Sequence, residues 1–276
     1  MNNTEIRLRR EAYKKIANDL SLLNNNQLSE LLKSSTPISN SIGGSSALLK
    51  ISDTNIFIKK VRLTDIERLP ENEMSTANLF HLPLYYQYGV GSTGFGAWRE
   101  LAAHILSTKW IIAGECQNFP ILYHWRILPS SCQEPDEAQL VKLGKDVKYW
   151  NNSSAIHDRL EANLYASAHI ILFLEYFPKN LYQWFGNQIA HGDSAIETAC
   201  EMIEKHLTQT ISFMKSKNFI HFDAHFHNIL TDGKRLYFSD FGLAISSNFE
   251  LSEEERDFLQ TVIFLISLPI FLSILV

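Results

Sequence analysis

The sequence predicts an α+β fold. Three observations carry this expectation. Short apolar runs separated by turn residues lie between residues 38 and 61. A nearly continuous apolar run, "AHIILFLEYF", spans residues 168–177. Between and after these, segments carry apolar residues at helical spacing. The chain has 276 residues, 45% hydrophobic and 20% charged, enough for one large domain or two modest lobes with a true core. Its formal net charge of −5 gives no reason to expect a nucleic-acid partner.

Taken in order, residues 1–35 place Ile6, Leu8, Tyr13, Ile16, Leu20 and Leu23 at near-helical spacing, which predicts an amphipathic helical extension. "SSTPISNSIGGSSALLKISDTNIFIKKV" predicts strand-turn-strand structure. "YGVGSTGFGAW" is a glycine-rich loop, and "WRELAAHILSTKWIIAG" after it has helical periodicity. "FPILYHWRIL" predicts a strand, residues 130–155 a polar loop, and "AHIILFLEYF" a buried strand. Ser194 and Glu197 fit a capping box that opens a helix with Ile196, Ala199, Ile203, Leu207, Ile211 and Met214 on one face. In "ILTDGKRLYFSDFG", Asp232-Gly233 predicts a tight hairpin.

The last nineteen residues, "FLQTVIFLISLPIFLSILV", carry no charge. A core helix ended at Pro269 is the favoured expectation. A membrane-anchoring tail is the alternative, because the length reaches the spanning range. Cys116, Cys132 and Cys200 form neither a zinc spacing nor a disulfide framework, and the N-terminus lacks the apolar run of a secretory signal. A cytoplasmic setting is therefore expected.

The chemistry-bearing stretch is "HFDAHFHNIL", residues 221–230. His221, His225 and His227 with Asp223 could form a zinc cluster, but His124, His157, His169 and His191 stand alone elsewhere and supply no matching ligands. The other members of the stretch read differently. Asp223 and Asn228 are followed, across the hairpin, by Asp240-Phe241-Gly242. This pattern resembles the protein-kinase-like superfamily, with its H-x-D-x-x-x-x-N loop and Asp-Phe-Gly. Its "D-x-H-x-x-N" also resembles aminoglycoside and choline kinase-like phosphotransferases.

The resemblance implies a two-lobed fold: the helical extension at 1–35, a β-rich small lobe at 36–176 with insertions, and a shortened helical lobe at 177–276. It implies ATP and Mg²⁺ (or Mn²⁺) as cofactors. Asp223 would address the acceptor hydroxyl, and Asn228 and Asp240 would hold the metal. "NIFIKK" resembles the strand that carries the ATP lysine, which assigns Lys59 rather than Lys60. "SIGGSS" with Gly43 and Gly44 would cover the phosphates, though it departs from the usual glycine pattern. "FLEYF" resembles the hinge, with Leu174 as gatekeeper and backbone groups of Glu175 and Phe177 at the adenine.

"GVGSTGFG", from Gly89 to Gly96, matches the glycine pattern better but precedes a helix where a strand is required. It is therefore placed before the small lobe's helix, whose Glu100 would pair with Lys59; Glu73 is the alternative. Phe222 stands where protein kinases often have arginine, and no Ala-Pro-Glu motif is found after Gly242. The implied activity is transfer of the γ-phosphoryl group to a hydroxyl, favoured as a protein Ser/Thr. A small-molecule acceptor and an inactive, pseudokinase-type binding module are the alternatives.

Overall fold

A computed structural model describes residues 3–41, 44–130 and 134–267. The elements in order are α1 (Asn3–Ser21), α2 (Asn25–Lys33), β1 (Thr36–Ser41), β2 (Gly44–Ile51), β3 (Thr54–Leu63), a short α3 (Tyr85–Tyr88), α4 (Ala97–Ala113), β4 (Leu122–Pro129), α5 (Glu137–Tyr149), α6 (Ser154–Leu164) and β5 (Ala168–Glu175). Then come β6 (Lys179–Asn180), α7 (Leu181–Ala190), α8 (Asp193–Ser216), β7 (Phe219–Ile220), β8 (Ile229–Thr231), β9 (Leu236–Phe238), β10 (Ile245–Ser246) and α9 (Glu253–Ile266). The fold is α+β.

Strands β1-β2-β3-β5-β4, in that spatial order, form one antiparallel sheet. Its two faces arise from the two-residue period of a strand. Val61 and Leu63 of β3 and Ile170, Leu172 and Leu174 of β5 pack with Trp98 and Leu101 of α4. The alternate residues Ile56, Ile58, Ile171 and Phe173 join a second core with Ile16 and Leu20 of α1 and Leu28 and Leu32 of α2. Both faces of β5 are thus covered, which is why its sequence is apolar throughout rather than alternating. The N-terminal helices are part of this core and not an appendage to it.

The smaller sheets, β6-β8-β9 and β7-β10, lie with α7, α8 and α9 in the C-terminal part. Arg99 of α4 is 1% exposed and pairs with Glu255 of α9 at 2.7 Å, a buried charge pair that joins two distant helices.

The helical extension expected at 1–35 forms as two helices, because Asn24 caps α2 through a reciprocal box with Gln27. Other expectations are corrected. Residues 130–155, expected as a polar loop, contain α5 and the start of α6. α5 has no buried residue, although Leu140, Leu143 and Val147 stand at helical spacing and Asp136 and Gln139 form a capping box. The Ser194/Glu197 box does not form. Helix α8 starts at Asp193 after Gly192, with no side-chain cap. The Asp232-Gly233 hairpin is not a two-residue turn: Thr231 pairs with Leu236, and Asp232 Oδ1 accepts from the N–H groups of Lys234 and Arg235 to hold a four-residue loop.

At the C-terminus, α9 buries only Glu255 and Leu259, while Phe264 is 63% exposed. The expected core helix is therefore a half-exposed one. Residues 268–276, Pro269 among them, lie outside the described residues, and no described helix is long and apolar enough to cross a membrane.

Candidate active site

The 221–230 loop is built around the buried His221. Its Nε2 donates to the Ser239 carbonyl at 2.9 Å, and its Nδ1 accepts the Asp223 N–H at 3.3 Å. This pair of bonds sets the neutral tautomer, and burial pushes the ring pKa down to about 4. Phe222 then takes a positive φ of 59° and turns the chain into Asp223. Asn228 closes the loop: its Nδ2 donates to the Asp223 carbonyl at 3.0 Å and to Asp223 Oδ2 at 2.8 Å. Burial pushes the Asp223 carboxyl up, against the opposing pull of His225 at 3.6 Å.

β9 delivers the second carboxylate. The Ser239 N–H and Oγ both donate to the Asn228 carbonyl, at 3.0 and 2.6 Å, which ties the two loops together. Asp240 itself has φ 64°, and Phe241 after it is fully buried against His104, Phe119, Phe219 and His221. That anchored ring fixes where Asp240 stands.

Lys59 arrives from β3. Its Nζ lies 2.6 Å from Glu100 Oε1 and 2.8 Å from Asp240 Oδ1. Burial opposes the lysine's charge, but Asp240 and Glu100 together outweigh it and raise its pKa. Burial likewise opposes ionisation of Asp240, and Lys59 overrides it, holding that carboxyl down at about 2. Asp240 is therefore an anion at neutral pH, with 43% of its side chain open to ligands.

The sequence-expected residues Lys59, Glu100, Asp223, Asn228 and Asp240 are thus brought to one place from four chain segments. Glu73 makes no ion pair with Lys59 among the described residues, and Lys109 lines neither cavity at this site. Lys60 neighbours Lys59 on β3 but takes the opposite face, as strand alternation requires. His225 and His227 are exposed, and His227 lies at a tilt against Tyr182. Among the described residues no group of His, Cys, Asp and Glu could hold a metal by itself, and His221 is committed to Ser239. The zinc cluster does not form.

Two cavities meet at these residues. The first, about 520 Å³, is lined by Ser45, Ser46, Lys59, Leu174, Glu175 and Phe177 among others. Gly43 lies outside the described residues, and Gly44 opens β2 opposite Ser41. The Glu175 N–H donates to the Ile121 carbonyl at 2.8 Å, and its carboxylate accepts from Arg9 at 3.0 and 2.6 Å, so these two groups are taken up within the protein. Phe177 stacks on Tyr237 at 3.8 Å. The second cavity, about 670 Å³, contains Asp223, which the first lacks; Lys59, Asn228 and Asp240 line both.

Two supporting residues have no signal in the sequence. Arg9 of α1 donates to both Glu175 oxygens and to the carbonyls of Gln117 and Phe119, and lies over the Tyr237 ring. Glu67 accepts from the Ala97 N–H at 2.6 Å at the start of α4 and from Arg159 at 3.0 Å. The helix N-terminus after the glycine-rich loop, a place for an anion by its sequence, therefore already holds a carboxylate of the protein. No known protein-family model matches the chain, and no curated protein matches it either.

Proposed function

We propose that the chain is an ATP-dependent phosphotransferase of the protein-kinase-like superfamily, with the two-lobed architecture of that group. The observation that carries this reading is the Lys59–Glu100–Asp240 cluster beside the Asn228-braced Asp223. Buried charges are costly unless a function or a partner holds them together. A scaffold has no need of this particular set, which weighs against an inactive binding module.

In this reading the 520 Å³ cavity takes ATP. The Lys59 ammonium is a fixed positive charge for the phosphates, and Glu100 keeps it aimed. The residues fit a divalent cation. Magnesium takes oxygen ligands and binds through one or two carboxylates plus phosphates. Asp240 is an ionised carboxylate, and Asn228 spends its Nδ2 on Asp223, which leaves its carboxamide oxygen as the second ligand. Bound there, Mg²⁺ or Mn²⁺ would neutralise phosphate charge.

Asp223 acts on the acceptor. Its carboxylate, held by Asn228, accepts the hydroxyl proton as the acceptor oxygen bonds to the γ-phosphorus and the bond from that phosphorus to ADP breaks. The test is ADP formation by Asp223→Asn and Asp240→Asn beside the unaltered protein, with titration of a nucleotide analogue and magnesium. Asp223→Asn should lose about 10²–10⁴-fold in rate with near-normal nucleotide affinity. Asp240→Asn should lose metal-nucleotide affinity as well. Stoichiometric zinc in the purified protein, or loss of nucleotide binding in Asp223→Asn, would sink this assignment.

A further inference from the structure

The Gly89–Gly96 loop is not used by the nucleotide reading, yet it walls the 670 Å³ cavity together with the end of β3, Arg159 and Asn163 of α6, and Phe222. The loop is held in a definite shape. Gly94 has φ +71°, and a Cβ there would lie 2.0 Å from the Gly242 carbonyl oxygen, so only glycine allows the loop to rest on the segment after Asp240. Asn163 Nδ2 donates to Thr93 Oγ1 at 3.2 Å, and Gln87 Nε2 donates to the Leu243 carbonyl. The cavity is thus a cleft walled by several chain segments, and its volume is in the range that small-molecule sites occupy.

Its chemistry is selective. Its three carboxylates are Glu100, Asp223 and Asp240, and all belong to the transfer cluster. No carboxylate remains on the wall to receive an amine. Arg62, also on the wall, has no carboxylate partner among the described residues; its Nη1 meets the Asn163 carbonyl at 3.5 Å. Beside Asp223, Phe222 and Tyr88 form an aromatic surface, each stacked on Phe258 at 5.7 Å. Ser92, Thr93 and Asn163 supply hydroxyl and amide groups.

We infer that this cavity is the acceptor subsite and that it takes a small polyhydroxyl compound, uncharged or anionic, whose carbon skeleton lies on the Phe222–Tyr88 surface. Sugars, sugar phosphates and nucleosides have this chemistry; amines find no free carboxylate on the walls. The inference rests on the phosphotransferase reading and names its substrate class. A hydroxyl of the bound compound loses its proton to Asp223, its oxygen bonds to the γ-phosphorus, and ADP leaves.

The test measures ADP release by the full chain with Mg²⁺ and ATP against three acceptor sets: neutral sugars, sugar phosphates and nucleosides; aminoglycosides and other hydroxylated amines; and a Ser/Thr peptide library. Nucleotide-analogue binding is measured in parallel. The first set should raise ADP release about tenfold or more over the acceptor-free rate. Ser92→Trp, which fills the cavity, should abolish that increase while nucleotide affinity stays unchanged. Val90 is 85% exposed, so Val90→Trp at the same wall blocks entry without disturbing packing and should act in the same direction. Stimulation by the amines or the peptides alone would overturn the inference, as would stimulation by the first set that both variants leave intact. Failure to bind nucleotide at all would instead overturn the phosphotransferase reading beneath it.

Discussion

Replacing Arg9 by methionine should destabilise the protein far more than a change in an N-terminal helix ordinarily does. Arg9 is 9% exposed. Its guanidinium donates to Glu175 Oε1 and Oε2 at 3.0 and 2.6 Å, to Gln117 Oε1 at 3.0 Å, and to the carbonyls of Gln117 and Phe119 at 2.9 and 2.7 Å. Methionine fills much of the same volume but leaves Glu175, whose side chain is 16% exposed, with the Ile121 N–H at 3.1 Å as its remaining hydrogen-bond donor. Breaking a buried pair from one side costs about 3–5 kcal/mol, a large part of the roughly 5–15 kcal/mol that holds a typical domain folded. Urea unfolding followed by tryptophan fluorescence measures the loss. Because the stranded charge is the main penalty, Arg9→Met combined with Glu175→Leu should cost less than Arg9→Met alone. A loss below about 1 kcal/mol for Arg9→Met, or a double variant that costs the sum of the singles, would refute the reasoning. Since Glu175 and Phe177 line the first cavity, Arg9→Met should also weaken nucleotide binding.

Lys59→Met should cut turnover and nucleotide affinity, because it removes the charge between Glu100 and Asp240, whereas Lys60→Met should be nearly silent. Steady-state rates of the two variants check this, and the opposite order would mean a strand register shifted by one. Stability should fall on acidification below neutral pH. Burial pushes His221 down to about 4, and burial followed by the charge of Lys59 pushes His104 down to about 3; in both, Asp240 pulls the other way. Both rings stay neutral in the fold but take protons in the unfolded chain below its ordinary value near 6.5, so their contribution is complete above that pH and is lost as pH falls towards 4. By pH 5 the loss is on the order of 2 kcal/mol for each ring. Melting temperatures between pH 7 and pH 5 should show it, and His104→Phe, at a site packed edge-on against Phe241, should flatten the curve.

By itself the sequence determined the local chemistry and the periodic elements. The spacing of Asp223, Asn228 and Asp240 is a property of one loop and one hairpin, so it could be seen in a continuous stretch. Lys59 was singled out by the resemblance of "NIFIKK" to a lysine-bearing strand, and strand alternation then put Lys60 on the other face. Strands β3, β4 and β5 and helices α4 and α8 carry apolar patterns dense enough to be seen locally. Helix α5 buries nothing, but Leu140, Leu143 and Val147 at helical spacing and the Asp136/Gln139 cap were both present in the sequence.

Tertiary structure decided everything that depends on meeting across long separations. Arg9 and Glu175 are 166 positions apart, and Glu67 and Arg159 are 92. No local pattern distinguishes these partners from the many surface arginines and glutamates. The glycine-rich stretch at 89–96 is the clearest case. Its composition is that of a phosphate loop, but its Gly94 serves a close approach to Gly242, and the helix end behind it is filled by Glu67. A glycine states only that the backbone must pass where a side chain would not fit; which surface it passes is settled when the distant segments pack.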